Sequence, residues 1–232
     1  MEWFQDYPRH QGLKPDESGA EEAAFIRRVL RLRPGDEVLD APCGAARIAA
    51  HLATAGLRVT GVDLTPAYIA RAQQRFAQAG LAGDFPVCDL RQIDYEDRFR
   101  AVINWQGSFG FFSDAENLDV VRRYARALRR GGRLLIDQPG REYLLRHFRA
   151  SGASGDTRFK TRWRSETQRV ETAFRKTSTG ETWAMSIRLY TPAQFSDVFR
   201  RAGVEVEATY CDLNARPYVP SARRLYIVGR KP

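Results

Sequence analysis

The sequence predicts an α/β fold built on a mostly parallel sheet in a single domain. Three observations carry that prediction. Short apolar strands alternate with amphipathic helices from Val38 onward. The strands read as continuous apolar runs, the pattern of a sheet covered on both faces. Three successive strands run into aspartates, Asp40, Asp63 and Asp89, at the edge where such sheets bind ligands. A length of 232 residues suits one domain with an insertion.

Residues 1–20 are a polar, aromatic-containing lead-in, read as a lid segment. Ser18, with Glu21 three residues later, forms a capping-box pattern that opens a helix whose apolar face is Ala24, Phe25, Val29, Leu30 and Leu32. Val38 to Ala41 is the first strand, followed by a helix over Ala45 to Ala55 that Gly56 ends. Arg58 to Val62 is the second strand. Pro66 favours the first turn of a helix that runs to Ala79 before Gly80. Phe85 to Cys88 and Ala101 to Trp105 are strands three and four. A helix over Ala115 to Leu128 closes at Arg130-Gly131-Gly132, and Leu134 to Asp137 is strand five. The rhythm then breaks. Residues 139–190 read as an insertion or cap: a helical stretch near Arg141 to Phe148, a Gly/Ser-rich loop, and alternating segments at 158–165, 168–176 and 181–190. Pro192 to Ala202 resumes as a helix, and Val204 to Tyr210 and Arg224 to Val228 are the final strands.

Composition narrows the function classes. No run approaches the ~20 apolar residues of a membrane span. The first residues carry neither a basic nor an apolar signal-peptide region. Cys43, Cys88 and Cys211 are odd in number, widely spaced and without a CxxC pair, which argues against a disulfide framework or a metal site and fits a cytoplasmic protein. The formal charge is +9, and it comes from arginine: there are only four lysines. Many of the arginines fall singly on helix faces, so a solvated surface is favoured over a nucleic-acid footprint.

The densest chemistry lies in Val38-Leu39-Asp40-Ala41-Pro42-Cys43-Gly44-Ala45-Ala46-Arg47: strand, tight turn of small residues, helix. Small residues let the backbone approach a ligand closely. Only Gly44 is glycine; Pro42 and Ala46 occupy positions that dinucleotide folds usually give to glycine. Some twenty residues later the second strand ends at Asp63, where a carboxylate accepts hydrogen bonds from ribose hydroxyls. Asp89 ends the third strand, where a carboxylate accepts from an adenine amino group. Each acid has a plainer reading: Asp63 as a cap for the helix at Pro66, Asp89 as a loop carboxylate.

Taken together, "VLDAPCGAAR", "VTGVDLTPAYIARA", "FPVCDLRQI", "AVINWQGSFGFF" and "LRRGGRLLID" resemble the class I S-adenosylmethionine-dependent methyltransferases, and "WFQDYPRHQG" with "INWQGSFGFF" resembles their bacterial small-molecule branch. The resemblance implies a Rossmann-like, mostly parallel seven-stranded sheet with an antiparallel final strand, plus a small antiparallel β insertion. It implies S-adenosylmethionine as cofactor. Asp40 and the backbone of Ala41, Pro42, Cys43 and Gly44 are then expected at its methionine end. Asp63 is expected on the ribose with Leu64 beside the adenine, Asp89 and Leu90 at the adenine edge, and Asn104, Trp105 and Gln106 facing the methionine part and the methyl group. Pro42 and Ala46 depart from the family's glycines.

On the acceptor side the candidates are Tyr7, an aromatic lid that offers cation–π attraction to a sulfonium, and His147, the one histidine placed near an acceptor pocket. Ser108 and Phe109 follow strand four. The expected reaction is direct SN2 transfer to a small-molecule N or O acceptor, without metal, in a monomer or homodimer. The alternative is an RNA or protein methyltransferase using the basic surface, against which no NPPY-type tetrapeptide follows strand four and no separate RNA-binding module is visible. A non-enzymatic cofactor-binding regulator and a nicotinamide dehydrogenase are further readings. The dehydrogenase predicts a fuller GxGxxG turn and leaves Asp89 unexplained.

Overall fold

The structure is a computed structural model that describes residues 19–232. Ser18, Tyr7 and the rest of the lead-in lie outside the described residues. In chain order the elements are α1 (Gly19–Val29), β1 (Glu37–Asp40), α2 (Arg47–Thr54), β2 (Arg58–Gly61), α3 (Pro66–Gln78), β3 (Gly83–Asp84), β4 (Phe99–Asn104), α4 (Asp114–Ala127), β5 (Leu128–Pro139), α5 (Arg141–Arg146), β6 (Ser151–Ser154), β7 (Thr157–Arg164), β8 (Arg169–Lys176), β9 (Thr182–Arg188), α6 (Pro192–Arg201), β10 (Glu205–Tyr210) and β11 (Arg224–Arg230).

The main sheet has seven strands in the order β10-β11-β5-β4-β1-β2-β3. β1 pairs in parallel with both β2 and β4, and β4 with β5, whereas β11 runs antiparallel to β5 and β10. The order reverses between β1 and β4, which puts the switch point at the carboxyl ends of those two strands. Successive residues of β1 face opposite layers. Val38 packs with Phe25 and Ile26 of α1, Leu52 of α2 and Phe76 of α3, whereas Leu39 packs with Tyr124 of α4 and Phe195 and Phe199 of α6. A parallel sheet is stable only with both faces covered, and burial of each such side chain contributes about 1.5–3 kcal/mol.

Three elements differ from the sequence expectation. The third strand is two residues long, at Gly83–Asp84, and Phe85 to Cys88 joins the sheet only through the bridge of Asp63 to Val87. Pro86 has no N–H to give a ladder, so pairing breaks there. β5 begins directly after α4, at Leu128, and the Gly131-Gly132 stretch is absorbed as a register shift against β4. The insertion holds a strand more than expected: its four-stranded sheet, in the order β6-β7-β8-β9, includes Ser151–Ser154 from the Gly/Ser-rich loop. Gly152 is required there because an added Cβ would lie 2.5 Å from the Phe159 ring on the paired strand. No described helix is long and apolar enough to cross a membrane.

The small sheet is clamped to the carboxyl-end side of the main sheet. The Arg169 guanidinium donates to the carbonyls of Gly110 (3.1 Å), Phe111 (3.1 Å) and Phe112 (2.9 Å), just beyond β4. The Arg188 N–H adds a bond to Gly110 O at 2.8 Å, and a Cβ on Gly110 would come within 2.4 Å of the Arg188 carbonyl oxygen. The insertion therefore sits beside the ends of β4 and β5, on the ligand-binding edge.

Candidate functional site

The turn after β1 is held from three sides. Cys43 N–H donates to Val62 O (2.8 Å), Ala41 N–H to Ile103 O (2.9 Å), and Ala46 N–H back to Cys43 O (3.0 Å). Gly44 has φ +53° and Ala46 has φ +56°. The first suits glycine; the second holds an alanine in a conformation that costs roughly 1–2 kcal/mol. A Cβ on Gly44 would meet nothing within 4 Å. The turn thus leaves open space above its backbone at the switch point, where a close-fitting ligand would lie.

Two buried acids flank that space. Asp63 is 8% exposed, and its carboxylate accepts from Gly44 N–H (3.0 Å) and Thr65 N–H (2.9 Å). Burial raises its pKa, and those backbone bonds oppose the rise. Asp63, which also takes a side-chain bond from Thr65, therefore fastens the β1 turn to the β2–α3 loop. Asp40 is buried at the end of β1. Burial raises its pKa well above the usual carboxylate range, the nearby Asp63 raises it further, and Arg47 draws it down. Cys43 is buried as well, and burial with Asp40 and Asp63 holds its thiol protonated, which excludes a thiolate nucleophile. Leu64 is half-buried beside this group, and Leu90 is buried in the core.

The residues after β4 differ from expectation. Asn104 is fully buried and donates to Tyr124 Oη (3.0 Å), whose hydroxyl donates to Ala41 O (2.8 Å). Asn104 acts from beneath the turn instead of facing the cleft. The Trp105 indole stacks on Tyr226 at 5.2 Å and donates from Nε1 to Glu22 (2.7 Å), so it forms a wall under α1. Gln106 donates from its backbone N–H to Asp137 (2.8 Å), and its side-chain Nε2 is buried without a partner among the described residues. Phe109 is buried against Tyr190 and Phe195 and is a packing residue, while Ser108 is half-buried.

Asp89 also departs from its expected role. Its Oδ1 accepts from Arg91 N–H (2.9 Å), which caps the short 3-10 turn Leu90–Gln92, and the Arg91 guanidinium forks onto both carboxylate oxygens. Burial raises the Asp89 pKa, but those Arg91 bonds outweigh it and lower the pKa overall. An adenine amino group would share this carboxylate with Arg91. His147 is exposed at the end of α5, stacked on Tyr143 at 4.0 Å and bonded through Nδ1 to the Tyr143 carbonyl (2.8 Å).

Two residues of the site escaped the sequence reading. Arg47, at the start of α2, is 9% exposed; its Nη2 pairs with Glu22 at 2.5 Å and its Nη1 is buried without a partner. Glu22 thus joins Arg47 to Trp105. Arg224 on β11 donates from Nε to Asp137 (2.8 Å), fixing the acid that holds Gln106. Arg47 follows the turn directly in sequence, and that adjacency was the available signal. Among the described residues no group of His, Cys, Asp or Glu is arranged to hold a metal ion.

Comparison with known proteins agrees with this geometry. The family described as "Methyltransferase domain" matches residues 38–132. The 27-O-demethylrifamycin SV methyltransferase of Amycolatopsis mediterranei is 33% identical over 136 residues, 55% of this chain and 49% of that protein. The chain thus spans about half the length of this curated relative. The CcbJ methyltransferase of Streptomyces caelestis superposes with a TM-score of 0.79 at 18% identity, covering 98% of this chain and 96% of that one. The sugar N-methyltransferase KedS8 of Streptoalloteichus sp ATCC 53650 does so with a TM-score of 0.68 at 24% identity, covering 97% and 91%. Residues 38–132 thus resemble a methyltransferase domain, and the described chain shares the fold of these methyltransferase structures.

Proposed function

We propose that the chain transfers the methyl group of S-adenosylmethionine to a nitrogen or oxygen of a small-molecule acceptor. One observation carries the reading: the backbone of Gly44, over which an added Cβ would meet nothing within 4 Å, is held at the switch point by buried Asp63, with buried Asp40 at the end of β1. That set fits the cofactor. Asp63 would take the ribose hydroxyls with Leu64 beside the adenine, and Asp40 and the turn backbone would face the methionine ammonium. Arg47 Nη1 and Gln106 Nε2 are buried donors that lack an acceptor, and the methionine carboxylate would supply one.

When bound, the cofactor supplies an electrophilic methyl on a sulfonium. The chain's task is alignment and exclusion of water. The small sheet, tied to the β4–α4 loop by Arg169 and Arg188, is placed to cover the acceptor side, with Tyr7 of the lead-in proposed as a lid. A small acceptor is supported by this cap and by the named activities of the two relatives that act on a rifamycin and a sugar. The reading as an RNA methyltransferase loses support because a concavity lined by arginines lies at the opposite edge of the sheet.

The test is incubation with methyl-labelled S-adenosylmethionine and separate pools of amino sugars, hydroxylated aromatic natural products, bulk RNA and denatured protein. Label in a small-molecule pool supports the reading. Label confined to RNA or protein overturns the acceptor class.

A further inference from the structure

At the amino ends of β1, β4 and β5, eight arginines line a concavity of about 790 Å³. They come from the last turn of α1 (Arg27, Arg28) and the segment after it (Arg31, Arg33), from β4 (Arg100), from the start of β5 (Arg129, Arg133) and from the last residue of β11 (Arg230), which is the register partner of Arg133. Among the described residues Asp36 is the one carboxylate in the lining, and it is engaged by Arg129 (3.2 Å) and the backbone N–H of Arg33 (2.9 Å). Arg133 is buried and forks onto Glu207 at 2.7 and 3.1 Å. Arg100 donates to the Gly131 carbonyl at 2.7 Å, and Arg27 Nε is buried with no partner.

Helix-end placement accounts for part of this. Arg27 and Arg28 stand in the last turn of α1, where cations complement the helix dipole. It does not account for Arg100, Arg129, Arg133 and Arg230, which three strands bring together. Burial and the neighbouring positive charges of Arg133 and Arg129 lower the proton affinity of Arg100. The groove stores repulsion that an anion would relieve. Guanidinium forks match phosphate oxygens in bidentate geometry. The lining is concave and converges from four elements, which suits a compact ligand better than an extended backbone. The groove is also remote from the cleft: Asp36 to Asp40 spans a strand length of roughly 13 Å. Its occupant is not the methyl acceptor.

We propose that this groove is a second ligand site, for a compact anion that carries two or more consecutive phosphate groups, such as a nucleoside triphosphate or inorganic tripolyphosphate. The site is independent of the methyltransferase reading.

The experiment is calorimetric titration and thermal melting of the full chain with sodium tripolyphosphate, against citrate and sulfate at equal ionic strength. S-adenosylhomocysteine binding is measured in parallel, and Arg100→Gln and Arg230→Gln are compared with wild type. Expected are saturable one-to-one binding of tripolyphosphate and a rise in Tm that citrate and sulfate do not reproduce. Each variant should weaken that binding at least tenfold and leave S-adenosylhomocysteine affinity unchanged. Arg230→Gln alters an exposed side chain and keeps the test valid if Arg100→Gln fails to fold. Absence of saturable binding, equal binding of citrate, or binding unaltered in the folded variants overturns the proposal. So does tighter binding of a single-stranded RNA that tripolyphosphate cannot displace.

Discussion

The backbone N–H of Gly44 donates to the Asp63 carboxylate at 3.0 Å, so the turn after β1 and the end of β2 form one hydrogen-bonded unit. The residue proposed to hold the ribose also shapes the turn that would receive the rest of the cofactor. Binding and local stability are coupled through a single side chain.

Asp63→Ala should therefore lose both properties. It leaves the N–H groups of Gly44 and Thr65 without their acceptor, at about 1–3 kcal/mol for a buried group. We expect a Tm fall of several degrees together with loss of S-adenosylhomocysteine binding by calorimetry. Asp63→Asn, which keeps one side-chain oxygen, should recover more of the Tm than of the affinity. Wild-type affinity in either variant would remove Asp63 from the site.

Asp40 gives a pH prediction with a definite sign. Its folded pKa is raised above the unfolded value, first by burial and then by Asp63. Its contribution to stability is fully present below the unfolded pKa and is lost as pH rises through the raised folded pKa. At neutral pH and above, the ionised carboxylate is a liability to the ligand-free fold. Asp40→Asn should raise the ligand-free Tm at pH 8, with the gain shrinking as the pH falls toward 4. A cationic ligand favours the ionised form, so cofactor affinity in wild type should fall on acidification, and Asp40→Asn should bind weakly at every pH. Calorimetric titrations and melts across pH 5–8.5 check both.

Tyr124→Phe tests the support beneath the turn. The hydroxyl joins Asn104 to the Ala41 carbonyl inside the core. Its removal should cost about 1–2 kcal/mol in urea denaturation and weaken cofactor binding, although Tyr124 is fully buried and touches no cleft. A variant with unchanged affinity would show that the turn holds its shape without this relay.

Arg47→Gln removes the unpartnered Nη1 and the Glu22 pair together. We expect about a tenfold or greater loss of cofactor affinity, near the ~1.5–3 kcal/mol of a charge-assisted hydrogen bond. Glu22→Gln separates the two contributions: it breaks the pair and leaves the guanidinium, so affinity should change less. By contrast, His147→Ala should leave turnover within about twofold, because the ring lies exposed at the end of α5, stacked on Tyr143. A large loss of kcat would return His147 to the catalytic site.

The parallel sheet, its two covered faces and the β1 turn were legible because apolar runs and turn residues are local signals. The ends of strands were less so: Pro86 cut β3 short, and Gly152 hid β6 because its partner is a ring on another strand. The acids Asp40 and Asp63 were legible as strand ends. The roles of Asn104 and Trp105 were not, because each is set by a tertiary partner, Tyr124 and Glu22 respectively, that no spacing reveals, while Asp89 is taken up by its near neighbour Arg91. Arg47 and Arg224 were hidden among many surface arginines, and only burial separates them.

The most direct test of the cofactor site is calorimetric titration of the wild-type chain with S-adenosylhomocysteine, with NAD as the comparison. The structure predicts one-to-one micromolar binding of S-adenosylhomocysteine alone, abolished by Asp63→Ala. Absence of binding to S-adenosylhomocysteine, or binding of NAD in its place, would contradict it.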